Sequence, residues 1–225
     1  MWRRSLSYRV GLDLGTTYSA AAVWRSGVAN IVTLGNRSPA IPSVVHVSSS
    51  GILVGDAALG RAVSDPAHTA REFKRRLGDP EPVLRDDAGR GWSAHDLSAA
   101  LASMILRTVQ ERQGGPPDEV VLTVPASWSA TKRTLLANAI EEIPALAHPN
   151  LRTITEPEAA AIHYAANERI EPGEIVAVYD LGGGTFDAAL LRRDDHVGET
   201  GAGFTLIGRP EGIDRLGGIA FDSAQ

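Results

Sequence analysis

One pattern occurs twice in this chain, as Val10-Gly11-Leu12-Asp13-Leu14-Gly15-Thr16-Thr17-Tyr18-Ser19 and again as Val176-Ala177-Val178-Tyr179-Asp180-Leu181-Gly182-Gly183-Gly184-Thr185-Phe186-Asp187. Setting Asp13 on Asp180 also sets Leu14 on Leu181, Gly15 on Gly182, Ala21 on Ala188 and Ala22 on Ala189. The period is far longer than that of a solenoid, so it reads as a duplicated domain with one site built from two halves. Each copy joins a strand, a glycine turn and a second strand. The glycines of the second copy permit positive φ and leave backbone N–H groups bare to an anion. Asp180, at a strand end, is a candidate for a hydrated Mg²⁺. The same stretch also reads as an ordinary β-hairpin, because glycine pairs are common hairpin turns. The second copy favours phosphate binding.

Composition narrows the class. At 225 residues the chain has ample length for a core, as one large or two small domains. A net charge of −5 argues against a general nucleic-acid binder, which would show a basic stripe. Zero cysteines exclude disulfides, thiolate metal sites and thiol nucleophiles. Met1-Trp2-Arg3-Arg4-Ser5 is basic, but no apolar run follows it, so no signal peptide is expected. No apolar run approaches the roughly 20 residues of a spanning helix. A soluble, cytoplasmic protein that binds neither membrane nor nucleic acid is the expectation.

In chain order, residues 8–14, 18–24 and 28–34 read as an antiparallel meander, with Asp13 at its first turn. Val44–Val47 and Ile52–Val54 suggest a small hairpin, Gly55–Leu59 a short helix, and Asp86–Gly89 a second minimal hairpin. The charged run Arg71-Glu72-Phe73-Lys74-Arg75-Arg76-Leu77 reads mostly as a solvated face, with room for one lysine to point inward. Ser93 with Asp96 starts a helix whose Leu97, Leu101, Ile105 and Val109 form one buried stripe, and Gly114-Gly115-Pro116-Pro117 ends it. Strands at 119–124, 151–155 and 175–180 alternate with helices at about 130–142 and 157–167, a βαβαβ pattern with parallel strands. With the meander this gives a mixed five-stranded sheet with flanking helices. Glu156-Pro157 places a carboxylate at a strand-to-helix junction, on the edge where ligands of such folds collect. Its simpler role is to offset the helix dipole, worth about 0.3–1 kcal/mol. His46, His68, His95, His148, His163 and His196 show no metal spacing. Neither a Gly-Lys-Ser/Thr phosphate loop nor a Gly-x-Gly-x-x-Gly fingerprint is present.

Taken together, several motifs resemble the nucleotide-binding domain of the seventy-kilodalton heat-shock chaperones of the DnaK type. They are Gly11–Ser19, Val54–Ala58, Val121–Ala126, Thr155–Ile162, Asp180–Asp187, and Leu216-Gly217-Gly218 with Phe221-Asp222, in the family's order. The resemblance implies an α/β, actin-like ATPase fold related to ribonuclease H, with ATP or ADP and Mg²⁺ as cofactors. It implies that Asp13, Asp180 and Asp187 hold Mg²⁺, mostly through water. Thr16, Thr17 and Tyr18, next to Gly15, would hold phosphates, and Gly182, Gly183, Gly184 and Thr185 would grip the β- and γ-phosphates. Lys74, Glu156, Asp180 and Thr185 would orient the attacking water and offset charge. Such a division suits phosphoryl transfer, where positioning and charge neutralisation dominate.

The same resemblance implies a first lobe at residues 1–170, with a reduced outer subdomain at about 38–108, and a second lobe opening at 171–225 and truncated at Gln225. The segment between Lys74 and Ser93 is shorter than the family's usual excursion, which puts exchange-factor contacts there in doubt. A fragment lacking most of the second lobe and the peptide-binding domain is expected to hydrolyse ATP weakly. For the complete protein the implied partners are client peptides, a J-domain co-chaperone and a nucleotide-exchange factor. The alternatives are a small-molecule kinase of the same superfamily and a non-catalytic, nucleotide-dependent filament or sensor protein.

Overall fold

The helix α2 (Ala94–Gln113) shows how local sequence sets the core of the first half. Ser93 accepts a hydrogen bond from the Asp96 N–H at 3.2 Å, and the Asp96 carboxylate accepts from the Ser93 N–H at 2.9 Å. This reciprocal cap satisfies two donors that a helix start leaves open. Leu97, Leu101, Ile105 and Val109 are all buried, each of them worth about 1.5–3 kcal/mol of transfer free energy. Gly114, at φ 81°, takes the left-handed conformation that stops the helix.

The computed structural model describes residues 7–35, 38–144, 150–183, 185–195, 203–214 and 216–218. Its elements run β1 (Arg9–Leu14), β2 (Tyr18–Arg25), β3 (Val28–Ile31), β4 (Ile41–Pro42), β5 (Val44–Ser48), β6 (Gly51–Val54), α1 (Asp56–Arg61) and β7 (Thr69–Arg71). A 3₁₀ turn (Phe73–Arg76), β8 (Leu84–Arg85), β9 (Gly91–Trp92), α2, β10 (Glu119–Val124), α3 (Ala130–Glu141) and β11 (Asn150–Thr155) follow. The remainder is α4 (Glu156–Ala165), β12 (Ile175–Leu181), β13 (Thr185–Arg193) and β14 (Phe204–Asp214). The chain forms two compact units, Met1–Leu122 with Ala130–Arg152, and Thr123–Ser129 with Thr153–Gln225.

Among the described residues of the first unit, the main sheet runs β11-β10-β1-β2-β3, with β4 paired to β2. It is mixed: β1 lies antiparallel to β2 and parallel to β10. Arg9 faces Glu119 across the parallel pair, and Glu119 also meets Arg152 of β11, so opposite charges pin three neighbouring strands. The strand expected over 28–34 ends at Ile31. Val32 turns inward there and donates its N–H to the Ala21 carbonyl at 2.8 Å. A smaller sheet, β6-β5-β7, carries α1, and α2 packs against α3 and the 3₁₀ turn.

Tyr8, just ahead of β1, is buried and donates to the Gly115 carbonyl at 2.6 Å. Burial pushes its phenol up from 10.0 to about 12, the Arg25 guanidinium opposes the rise, and Asp118 adds to it. A folded pKa above the unfolded one gives a contribution that is complete below pH 10 and lost as pH climbs toward 12. Tyr8→Phe is therefore expected to cost about 1 kcal/mol at neutral pH and to flatten the loss of stability between those two values. Urea melts across alkaline pH check this.

The second unit holds a three-stranded antiparallel sheet, β12-β13-β14. This corrects the expectation that 175–180 continues a parallel βαβαβ sheet: β12 pairs with β13 in a hairpin, in a sheet that does not contain β10 or β11. Periodicity identifies a strand but does not say which sheet takes it. α4 covers one face, where Ala161, Ala189, Leu191 and Phe204 form the core with Val176 and Val178 against them.

Candidate functional site

The two hairpins share one register. In the first, Leu12 pairs with Ala21, Asp13 with Ala20 and Leu14 with Ser19. In the second, Tyr179 pairs with Ala188, Asp180 with Asp187 and Leu181 with Phe186. The alignment that superposes Asp13 on Asp180 superposes every one of these pairs. The copies differ in charge: opposite Asp13 stands an alanine, whereas opposite Asp180 stands a second carboxylate. Directly opposed like charges destabilise a hairpin, a penalty that a bound cation would relieve.

In the first unit, Asp13 is the last residue but one of β1, and Gly15, Thr16 and Thr17 form the turn into Tyr18. A Cβ on Gly15 would stand 2.2 Å from the Tyr18 carbonyl oxygen, so the turn admits only glycine without rearrangement. Ser43 braces it. Its hydroxyl donates to the Gly15 carbonyl at 2.7 Å, its N–H donates to the Thr17 carbonyl at 2.8 Å, and it shares a 2.9 Å hydrogen bond with Ser19. Among the described residues the hydroxyl of Thr17, which is buried, has no hydrogen-bond partner. Such an orphan costs about 1–3 kcal/mol and calls for an explanation. A ligand oxygen reaching the turn supplies one.

Lys74 stands on a different element of this unit, the 3₁₀ turn against α2. Within the charged run Lys74 is buried, as are Phe73 and Leu77, whereas Arg71 is exposed. Arg75 and Arg76 are engaged by Glu72 and Asp79 at 3.0 and 3.2 Å.

In the second unit, Asp180, Gly182, Gly183, Thr185 and Asp187 share one hairpin, and Gly184 lies outside the described residues. The Gly182 N–H donates to the Thr185 carbonyl at 2.9 Å, closing the turn. The Gly182 carbonyl accepts from the Gly218 N–H at 3.0 Å, which ties the Leu216-Gly217-Gly218 segment to it. On β14, a Cβ at Gly212 would lie 2.6 Å from the Asp187 carboxylate, so the absence of a side chain there gives Asp187 its place. Glu156 begins α4. The cap of that helix belongs to its neighbours: Glu158 accepts from the Thr155 N–H at 2.7 Å, and Thr155 accepts from the Glu158 N–H at 3.3 Å.

The candidate residues thus fall into one turn of the first unit and one hairpin of the second, with Lys74 and Glu156 on separate elements. Ser43, Gly212 and the contact of Gly218 were not legible as site features. Ser43 follows an Ile-Pro pair that reads only as a break, and its role depends on β4 pairing with β2.

Comparison with known proteins gives an independent result. A family model described as Hsp70 protein matches residues 9–224. A curated relative, the heat shock 70 kDa protein of Neurospora crassa, is 31% identical over 240 aligned residues, covering 95% of this chain. The chain spans 35% of the length of that relative.

Proposed function

The chain belongs to the Hsp70 family, with its actin-like fold, and from that premise we propose that it serves as the ATP-binding and ATP-hydrolysing part of a molecular chaperone. The observation that carries this reading is the buried Thr17 hydroxyl, without a hydrogen-bond partner among the described residues, in a glycine turn whose counterpart hairpin sets two carboxylates face to face. The first feature fits a phosphate oxygen and the second fits a divalent cation. The residues present suit both groups.

In this reading Ser43 draws the carbonyls of Gly15 and Thr17 to itself, so that the turn of Gly15, Thr16, Thr17 and Tyr18 offers its N–H groups and the Thr17 hydroxyl to phosphate. On the second hairpin Gly182 closes the turn onto the Thr185 carbonyl, and Gly183, Gly184 and Thr185 offer the remaining groups to phosphate. Asp13, on the first hairpin, and Asp180 and Asp187, on the second, would hold Mg²⁺ largely through its water shell, consistent with the reluctance of that ion to dehydrate. Bound Mg²⁺ offsets the charge on the phosphate oxygens. Lys74 and Glu156 orient the attacking water, and no side chain acts as a nucleophile. Gly212 leaves room for the Asp187 carboxylate.

Client peptides, a J-domain co-chaperone, a nucleotide-exchange factor and a cytoplasmic location belong to the same proposal. No helix among the described residues is long and apolar enough to cross a membrane. The kinase and filament readings gain nothing from the family match.

Calorimetry with Mg-ADP, Mg-ATP and adenosine tests the reading. Both nucleotides are expected to bind weakly, adenosine not measurably, and chelation of Mg²⁺ is expected to abolish the heat. Equal binding of adenosine would show that the phosphates are not what the chain holds. Lys74→Ala is expected to lower turnover by about a hundredfold, the order seen when one charge-stabilising donor is removed. Its effect on nucleotide affinity should be small.

A further inference from the structure

His68, in the turn between α1 and β7, stands between two carboxylates. Its Nδ1 lies 2.9 and 3.0 Å from the two oxygens of Asp65, and its Nε2 lies 3.3 Å from Oδ1 of Asp87. An imidazolium donates at both nitrogens, whereas a neutral ring donates at one and turns a lone pair on whatever faces the other. A carboxylate at each nitrogen is therefore satisfied in full only by the protonated ring. Asp65 belongs to the same turn as His68. Asp87 comes from the turn between β8 and β9, where its Oδ2 also accepts from the Ser49 N–H at 2.9 Å.

His46 of β5 also approaches Asp65, but at 4.0 Å, beyond hydrogen-bond reach. Its Nδ1 donates to the Thr69 hydroxyl at 3.0 Å, because that hydroxyl gives its own hydrogen to the Asp65 carbonyl at 2.7 Å. Asp86, beside Asp87, accepts from the Trp92 indole and from the N–H groups of Ala88 and Arg90, and the Arg90 guanidinium offsets its charge. Hydrogen bonds from Ser49 above all, with the charge of His68 adding to them, hold the Asp87 carboxyl below its ordinary range. Asp87 is thus an anion at every pH where an imidazole titrates.

Residues 69–86, between the two partners of this contact, carry β7, the 3₁₀ turn with Lys74, and β8. A short 3₁₀ turn has little stability of its own. This one follows Glu72 at φ 52°, a left-handed conformation that a residue other than glycine keeps only where its surroundings hold it. The ends of the segment therefore help to set where Lys74 stands. We propose that His68 is a positioning residue for Lys74: protonated, it clasps Asp65 and Asp87 and closes the segment that carries the lysine, and neutral, it releases the β8–β9 turn. The role rests on the reading of Lys74 as a residue that offsets phosphate charge. The clasp forms as pH falls through the ordinary imidazole range, about 6.5, and is lost as pH rises through it. The hydrogen bond from Ser49 to Asp87 survives in both states, so the change is a loosening, with the size of one partly exposed ion pair.

Hydrogen–deuterium exchange of the full chain without nucleotide reads the clasp. After correction for intrinsic exchange, the amides of residues 69–92 are expected to be about threefold better protected at about pH 6 than at about pH 8, with the middle of α2 unchanged. Asp87→Asn keeps an oxygen for the Ser49 N–H and loses the charge, and His68→Gln cannot take up a proton. Each is expected to remove the difference by lowering protection at the acid pH. A difference that survives in either variant, or an unsubstituted chain that shows none, would overturn the proposal. No nucleotide is present, so this outcome is independent of whether the chain hydrolyses ATP. Turnover of Mg-ATP then reads the link to Lys74: the unsubstituted chain is expected to exceed His68→Gln by about threefold at the acid pH and to match it at the alkaline one. Equal rates at both would overturn the positioning role. A chain that turns over no ATP would instead overturn the reading of Lys74, with exchange still deciding the clasp.

Discussion

Asp180→Asn is expected to move two quantities in opposite directions: nucleotide binding that depends on Mg²⁺ weakens, while the metal-free fold is unchanged or slightly more stable. The reason is the direct opposition of Asp180 and Asp187 across β12 and β13. Two carboxylates in that relation repel by about 0.2–1 kcal/mol without a cation, less at high salt because the pair is partly exposed. Asparagine keeps the size and removes the charge. With Mg²⁺ present the balance reverses, because the ion loses one carboxylate, and about a tenfold rise in the dissociation constant of Mg-ADP corresponds to 1.4 kcal/mol. Thermal melting in a chelator and calorimetry with Mg-ADP read the two effects separately. A variant with unchanged metal dependence would remove Asp180 from the site. A variant that melts much earlier would show that Asp180 serves the fold.

Gly15→Ala is expected to be the more damaging substitution to the structure itself. The added Cβ would sit 2.2 Å from the Tyr18 carbonyl oxygen, well inside contact distance. That oxygen is backbone at the start of β2, so it cannot swing away as a side chain would. Relief requires the turn to open, which breaks the hydrogen bonds of Ser43 to Gly15 and Thr17. Strain and broken buried hydrogen bonds together put the cost at about 2–4 kcal/mol. Gly182→Ala makes a useful control. At the equivalent place in the second hairpin the added atom meets the Thr185 carbonyl at an ordinary 3.5 Å. Chemical denaturation should separate the two variants by most of that difference. Equal melting would mean that the first turn yields more easily than its geometry implies.

The contrast between Gly15 and Gly182 shows how far the sequence reaches. It paired the two glycines by alignment, and the two hairpins share one register. It did not distinguish how tightly each turn is wound, because that depends on where the following carbonyl lies. Elements with local signals were legible: α2 from its capping box and its four-residue stripe, and the β5–β6 and β8–β9 hairpins from their turn residues. The sheet membership of β12 was not legible from periodicity, since an apolar strand pairs equally well in either sheet. Of the candidate site, the acids and glycines stood out by residue type. Ser43 and Gly212 did not, because a serine after a proline and a glycine in a strand carry no local mark of what they touch.

The sequence by itself determined the family, the duplicated hairpins and the order of most elements, all of which follow from the spacing of neighbouring residues. Only the tertiary structure decided that Lys74 is buried while Arg71 is exposed, that Asp180 faces Asp187, that Ser43 holds the first turn and that Thr17 keeps a buried hydroxyl without a partner among the described residues. Each of these depends on which distant segments meet, and the free energy that brings them together is set by burial and pairing across the fold.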